Sequence, residues 1–492
     1  MQMSTIFFLL TAVICGIFLL ISWKAGSKAG ESFSQYAIGG ASFGMLMIFF
    51  TQFASIMGVS NFFAHAGNAY EQGVGIFAFI LGEQGSKIVF ALIFAGIIGK
   101  FTYNTMPELI DDLIVRDKLT RAMCGVLASI IMISCVGSQS KAFGDLFEVF
   151  TGSSSTPIVI LFSAIFILYT VTGGVYSVVW TDLFQGILCL VVGVVFYLFA
   201  FSRVDFSLDV LQTRLAAVGQ ENLLSFANVD IWGAVNKFIT GLIGVLSFQA
   251  YWQRCFGCKT AKTAKRSMLW SGIICLFFVL MTAMVGIIIA TYNQDLNANT
   301  AMPWFMMNCM PKALCAAIFV LVLCAGMSTA DSCLNSSAVL IVNDVIHPFS
   351  KQNDRQMVHS AKIATVIIGV VSCFCGIYAQ TVLSLLSKAY TIAGVGLVPL
   401  LVIGMFWKDH KGEHEMGKRN SKVTPWGARC GIVSGIVVSQ LPFFAGYGAI
   451  AGCIVSSIVI VVVSLLTKNV PIEARFASEG DVHPLAKPHA ND

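Results

Sequence analysis

Runs of about 20 apolar residues, the length that crosses a bilayer as helix, recur from one end of this 492-residue chain to the other. Short polar loops separate them. Only 11% of the residues are charged, against roughly 25% in a soluble domain. The pattern predicts an all-α, multi-pass membrane protein. It excludes a soluble enzyme, a secreted disulfide scaffold and a disordered chain.

Thirteen spans can be placed, at about 3–23, 43–69, 73–99, 121–149, 156–176, 180–200, 232–253, 267–291, 313–343, 359–379, 382–407, 427–446 and 448–467. The first lacks Lys or Arg before Lys24, whereas a signal peptide carries a basic region ahead of its apolar core. It therefore reads as a retained span. Lys and Arg favour cytoplasmic loops. With the N-terminus outside, 23 of the 30 basic residues fall inside. They are Lys24 and Lys28, Lys100 to Arg121, Arg254 to Arg266, Lys351 to Lys362, Lys408 to Arg429, and Lys468, Arg475 and Lys487 in a cytoplasmic tail. The expected location is a cell membrane, with the C-terminus in the cytoplasm. No phosphate-binding G-x-x-x-x-G-K-[ST] loop points to ATP-driven transport. Most of the 15 cysteines lie in apolar runs and read as packing residues. Cys255 and Cys258 supply only two of the four ligands a structural zinc needs.

Ionisable residues at bilayer depth cost about 2.5–3.5 kcal/mol each. Glu83 and Lys87, four apart on one helix face, read as an internal ion pair or as the polar wall of a cavity. Lys141, Asp145 and Glu148 repeat the spacing and read as structural. Lys388 stands alone in the eleventh span, where it either meets a substrate carboxylate or snorkels outward. The second span is interrupted by polar and small residues from Gln52 to Asn61. Unwinding near Gly58 would free carbonyls, which is tolerated only where protein or a cavity satisfies them. The seventh span has a similar interruption at Gly241, Gly244, Ser247 and Gln249. Two broken spans, each first in a set of five, are the trace expected of an inverted repeat with its site at the midplane. Glycines for close helix packing are the plainer alternative.

The densest polar cluster, Ser328 to Ser332 with Asn335, Ser336 and Ser337, lies inside the ninth span. Sodium is a hard ion that takes oxygen ligands, and hydroxyls with carbonyls suit it better than a carboxylate cage. The Ser328 and Thr329 hydroxyls and the Ala325 carbonyl could face the carbonyls of Ala54 and Met57 on the broken span. A Ser-rich helix seam is the alternative.

With these residues in place, the chain resembles the sodium:solute symporter family of proline, pantothenate, sugar and sialic acid carriers. The markers are Gly173 to Gln185, Met327 to Ser332, Thr105 to Leu109 and Tyr251 to Arg254. The resemblance implies thirteen transmembrane helices with two inverted five-helix repeats, as in the leucine-transporter fold. The repeats fall at 43–200 and 232–407. An extra helix and cytoplasmic loop precede them (1–42), and two extra helices (427–467) and a cytoplasmic tail (468–492) come after. It implies sodium as the coupled ion, bound at Ala54, Met57, Ala325, Ser328 and Thr329. A second sodium or a release path would use Asp182, Asp331 and Ser332, although Asp331 departs from the serine of the family pattern. Asn61 and Gln139 match cavity-lining positions, and Gln84, Ser247, Gln249 and Lys388 are candidates from location.

The expected function is sodium-coupled symport of a small polar solute (an amino acid, sugar, sialate or carboxylate) by alternating access. A proton symporter titrating at Asp182 or Asp331, or a membrane sensor, are the alternatives. An enzyme is not expected, since His65 is the only histidine placed in a span and no paired metal motif accompanies it. The expected partners are solute, sodium and lipid, with no nucleic acid and no obligate protein partner.

Overall fold

The computed structural model describes residues 3–25, 32–227, 229–350 and 352–470. Lys28, Lys351, Arg475, Lys487 and most of the expected tail lie outside the described residues. The helices are, in order, α1 (Met3–Ala25), α2 (Phe33–Ile38), α3 (Met45–Ile56), α4 (Val59–Gln72), α5 (Phe77–Ile93), α6 (Ala95–Ile98), α7 (Met106–Ile110), α8 (Lys118–Thr151), α9 (Ser155–Ser202) and α10 (Leu208–Ala217). They continue as α11 (Ile231–Leu246), α12 (Gln249–Phe256), α13 (Ala261–Ala290), α14 (Ala301–Cys309), α15 (Lys312–Leu340), α16 (Asp354–Tyr378), α17 (Val382–Phe406), α18 (Pro425–Gln440) and α19 (Gly448–Leu466).

Among the described residues, ten helical stretches are long and apolar enough to cross a membrane, and Met45–Ser55 and Ser155–Val171 are shorter apolar helices. This criterion yields ten crossings rather than the thirteen read from the sequence. Large apolar side chains such as Leu20, Leu168, Leu198, Ile367 and Leu465 stay exposed on the outer faces. In water each would forgo about 1.5–3 kcal/mol of burial; against lipid tails it forgoes nothing. The arrangement is that of a multi-pass membrane protein.

Three departures from regular helix shape the interior. The chain leaves helix at Met57 (ψ 35°) and Gly58 (ψ 168°), which separates α3 from α4. It leaves helix again at Phe248 (ψ 100°), between α11 and α12. The spans expected at 156–176 and 180–200 are two helical segments of α9 that meet without a loop at Gly174 (φ 53°, ψ −165°), where the backbone leaves helix. Glycine adopts that left-handed φ without the Cβ clash other residues meet, so the break falls there.

The core is built around α15, which packs on α8, α9, α16 and α3. Every residue from Leu321 to Leu340 is buried, including its eight-residue polar cluster. A helix apolar and buried all round is the sign of a bundle centre. Here the polar residues inside it must be satisfied by neighbouring helices.

Candidate functional site

The first break ends against α15. A continuous helix would give the Met57 carbonyl the Asn61 N–H, but that N–H donates to the Gly58 carbonyl at 2.9 Å. The Met57 carbonyl thereby loses its helical donor. Thr329 Oγ1 donates to the Ser55 carbonyl (3.1 Å) across the seam and to the Ala325 carbonyl (2.9 Å) on its own helix. Gly58 is required by this approach. A Cβ there would lie 2.5 Å from Thr329 Oγ1 and 2.7 Å from Gln139 Oε1. Ala54, Met57, Ala325, Ser328 and Thr329 are all buried. Ser328 donates its hydroxyl hydrogen to Asp182 Oδ1, which leaves the oxygen lone pairs able to accept a cation. The donors gathered here are neutral oxygens, the set that fits a hard monovalent ion.

On one side of this seam lies a closed polar cluster. Arg254 on α12 donates from Nη2 to Ser332 Oγ (2.6 Å), Ser55 Oγ (2.7 Å) and Asp182 Oδ2 (3.3 Å). Its Nε donates to Thr51 Oγ1 (3.0 Å) and its Nη1 to the Ala250 carbonyl (3.0 Å). Thr51 also donates to Asp182. Arg254 and Asp182 are a buried ion pair whose other valences are filled by hydroxyls. Asp331 is wholly buried three residues from Ser328, but the bonds around Asp182 run through Ser332. Sequence alone places Arg254 only within a matching run. The reach of its guanidinium into the Asp182 set cannot be read from spacing.

On the other side of the seam is a cavity lined by residues from eight helices and the second break, among them Ser55, Asn61, Glu83, Gln84, Lys87 and Thr329. Measured by where a water centre fits, it spans about 20 Å³, room for a water or two. Glu83 on α5 accepts from His65 Nε2 (3.0 Å), Gln84 Nε2 (2.8 Å) and the Tyr390 hydroxyl (3.3 Å). His65 Nε2 also lies 3.1 Å from Asn61 Oδ1, so the proton sits on Nε2 with two acceptors facing it. The expected Glu83–Lys87 ion pair is thus redirected. Glu83 pairs with His65 on α4, and Lys87 donates to Gln84 Oε1. Tertiary partners outcompete the i, i+4 neighbour, whose intrinsic worth is only about 0.2–0.5 kcal/mol. Lys141 and Asp145 do pair as their spacing suggested.

Asn61 and Gln84 line the cavity, and Gln139 is buried beside Gly58 at the seam. Ser247 is buried at the end of α11. Two candidates fall elsewhere. Gln249 Oε1 accepts the Met106 N–H (3.0 Å) and its Nε2 donates to the Asn104 carbonyl (3.3 Å), tying the second break to the loop before α7. Lys388 is exposed. Two residues turn a helix by about 200°, and it is Tyr390 that points inward. His65, Tyr390 and Tyr251 are among the lining or contacting residues that the sequence did not assign to the site. An isolated apolar-face His or Tyr carries no signal of its partner.

Residues 36–413 match a family model described as the Sodium:solute symporter family. The osmoregulated proline transporter OpuE of Bacillus subtilis (strain 168) is 22% identical over 498 residues, covering 95% of this chain and 96% of its own. The high affinity choline transporter 1 of Homo sapiens is 24% identical over 452 residues, covering 88% of this chain and 75% of its own. A solved Na+-coupled sialic acid symporter, substrate-bound and outward-open, superposes with a TM-score of 0.79 at 18% identity, over 95% of this chain and 99% of that one. That likeness speaks to the fold, which is leucine-transporter-like.

Proposed function

Because the chain belongs to the sodium:solute symporter family, we propose that it carries a small polar organic solute across a cell membrane together with sodium, by alternating access. Counting α3–α4 and α11–α12 as single crossings and the bent α9 as two, the chain would cross thirteen times. Its N-terminus would face outside and its C-terminus the cytoplasm, with inverted repeats at 43–200 and 232–407.

In this reading, sodium is held at the seam by the carbonyls of Ala54, Met57 and Ala325 and the hydroxyls of Ser328 and Thr329. The solute occupies the cavity beside it, near Asn61, Gln84 and Gln139. The observation that carries the reading is shared walls: Ser55 and Thr329 belong both to the seam and to the cavity lining. An ion bracing the break would then lower the cost of forming the solute site, and the coupling would be reciprocal. Asp182 would orient Ser328 toward the ion.

The test uses the purified full-length protein and ²²Na+ binding, which needs no knowledge of the solute. Ser328→Ala and Thr329→Ala are each expected to weaken sodium binding about tenfold, the loss that about 1.4 kcal/mol produces. Unchanged sodium affinity in both variants would refute the site. Proton coupling would show instead as absent ²²Na+ binding with uptake driven by a pH gradient alone.

A further inference from the structure

We propose that the solute is a small organic monocarboxylate, and that Lys87 receives its carboxylate. This rests on the cavity being the solute site.

Two charged side chains line the cavity, Glu83 and Lys87. They are not equivalent. Both Glu83 oxygens are taken, by His65, Gln84 and Tyr390. The Lys87 side chain is wholly buried, and an ammonium has three N–H donors. Among the described residues one donates to Gln84 Oε1. The Tyr251 ring, 5.7 Å from Nζ, offers its face but no proton acceptor. Burying a cation so incompletely partnered costs free energy, and a carboxylate entering the cavity would recover it.

The rest of the lining limits what else the solute can carry. Val245, Phe248 and Cys135 are apolar, and the Tyr251 and Tyr390 rings present carbon surface. The Gln84 amide is spent on Glu83 and Lys87, and the Asn61 carbonyl faces His65. A polyol would leave several hydroxyls unmatched, which a buried site punishes at about 1–3 kcal/mol each. A quaternary ammonium would meet Lys87 as a like charge. The ammonium of an amino acid would have to share Glu83 oxygens that already accept three hydrogen bonds. A single carboxylate on a short apolar tail answers these charge and hydrogen-bond constraints, and the cavity, with room for a water or two as it stands, would have to open to admit it. A lysine, a compact point charge, suits such a group where no bidentate fork is needed.

The experiment reconstitutes the full-length protein in proteoliposomes with an inward sodium gradient, with ²²Na+ binding measured in parallel. The probes are ¹⁴C-labelled propionate, butyrate and pyruvate, with propionamide, butyramide, D-glucose, L-proline and choline as comparisons. Sodium-dependent carboxylate uptake is expected, with the matched amides competing at least about tenfold less well, a gap of about 1.4 kcal/mol. Lys87→Gln should cut that uptake by a similar factor while leaving ²²Na+ binding unchanged. If Lys87→Gln does not fold, the acid–amide comparison in the wild-type protein decides alone. The inference is overturned if the wild-type protein binds sodium but takes up glucose, proline or choline with no competition from carboxylates. It is also overturned if Lys87→Gln transports carboxylates normally. A wild-type protein that binds no sodium defeats the proposed function instead.

Discussion

Two buried polar clusters flank the seam between the first helix break and α15: one around the Asp182–Arg254 pair, with Asp331 buried near it, and one around Glu83, His65 and Lys87. In the Asp182–Arg254 cluster the acid and base touch, and hydroxyls from Thr51, Ser55, Ser328 and Ser332 occupy their remaining valences. In the Glu83–Lys87 cluster the acid accepts three hydrogen bonds, while the base is left with one amide and an aromatic face. A closed network holds helices together; a network with one unfilled end holds a place for something else. The difference lies in how completely Arg254 and Lys87 are answered, since both are buried.

Three substitutions probe that contrast. Arg254→Ala should have the largest effect, because it strands a buried carboxylate; removal of one partner from such a pair costs about 3–5 kcal/mol. A lowered Tm of the detergent-solubilised protein would report it, and an unaltered Tm would mean the network is not closed. Lys87→Met should cost under about 1 kcal/mol or stabilise, because replacing an incompletely paired buried charge by an apolar chain of like volume is often neutral or better. A Tm loss as large as that of Arg254→Ala would erase the distinction. The smallest effect is expected far from the membrane centre, at Asp117 and Arg429 (2.5 Å). Burial pushes the Asp117 carboxyl up, but hydrogen bonds from Arg429 and Thr120 outweigh it and hold it below the usual value. A depressed carboxyl stabilises above its unfolded pKa, about 3.9, and that stability fades as pH falls through the folded value. Arg429→Ala should therefore lower Tm slightly at pH 7, and the gap to the wild-type protein should close in acid.

How much of the molecule is legible in the sequence depends on how local each signal is. The break at Gly58 is legible because small and polar residues interrupt an apolar run, and its glycine has a contact reason at Thr329. The serine and threonine of α15 are legible because seven polar positions inside a span demand an explanation. The Glu83 partnership is not, since sequence spacing reports Lys87 but cannot see His65 or Tyr390 on other helices. Lys388 is open between two readings in the sequence because span membership does not fix helical phase, and its exposed side chain fits the outward one. Gln249 is misplaced because the second break turns it toward the loop at Asn104 and Met106. The two crossings that meet at Gly174 are legible as separate spans, but their direct continuation from one into the other is not, because a kink and a loop leave the same glycine in the sequence.

Arg254 has a consequence for stoichiometry. Its guanidinium already answers Asp182 and Ser332, and unlike a dissolved ion it is tethered and never leaves. If the seam then holds the one exchangeable sodium of the proposed function, a singly charged anion carried with it would make the cycle electroneutral, and the membrane voltage would do no work on it. The ceiling would be set by the sodium ratio alone: a tenfold ratio, about 1.4 kcal/mol, would concentrate the solute no more than about tenfold.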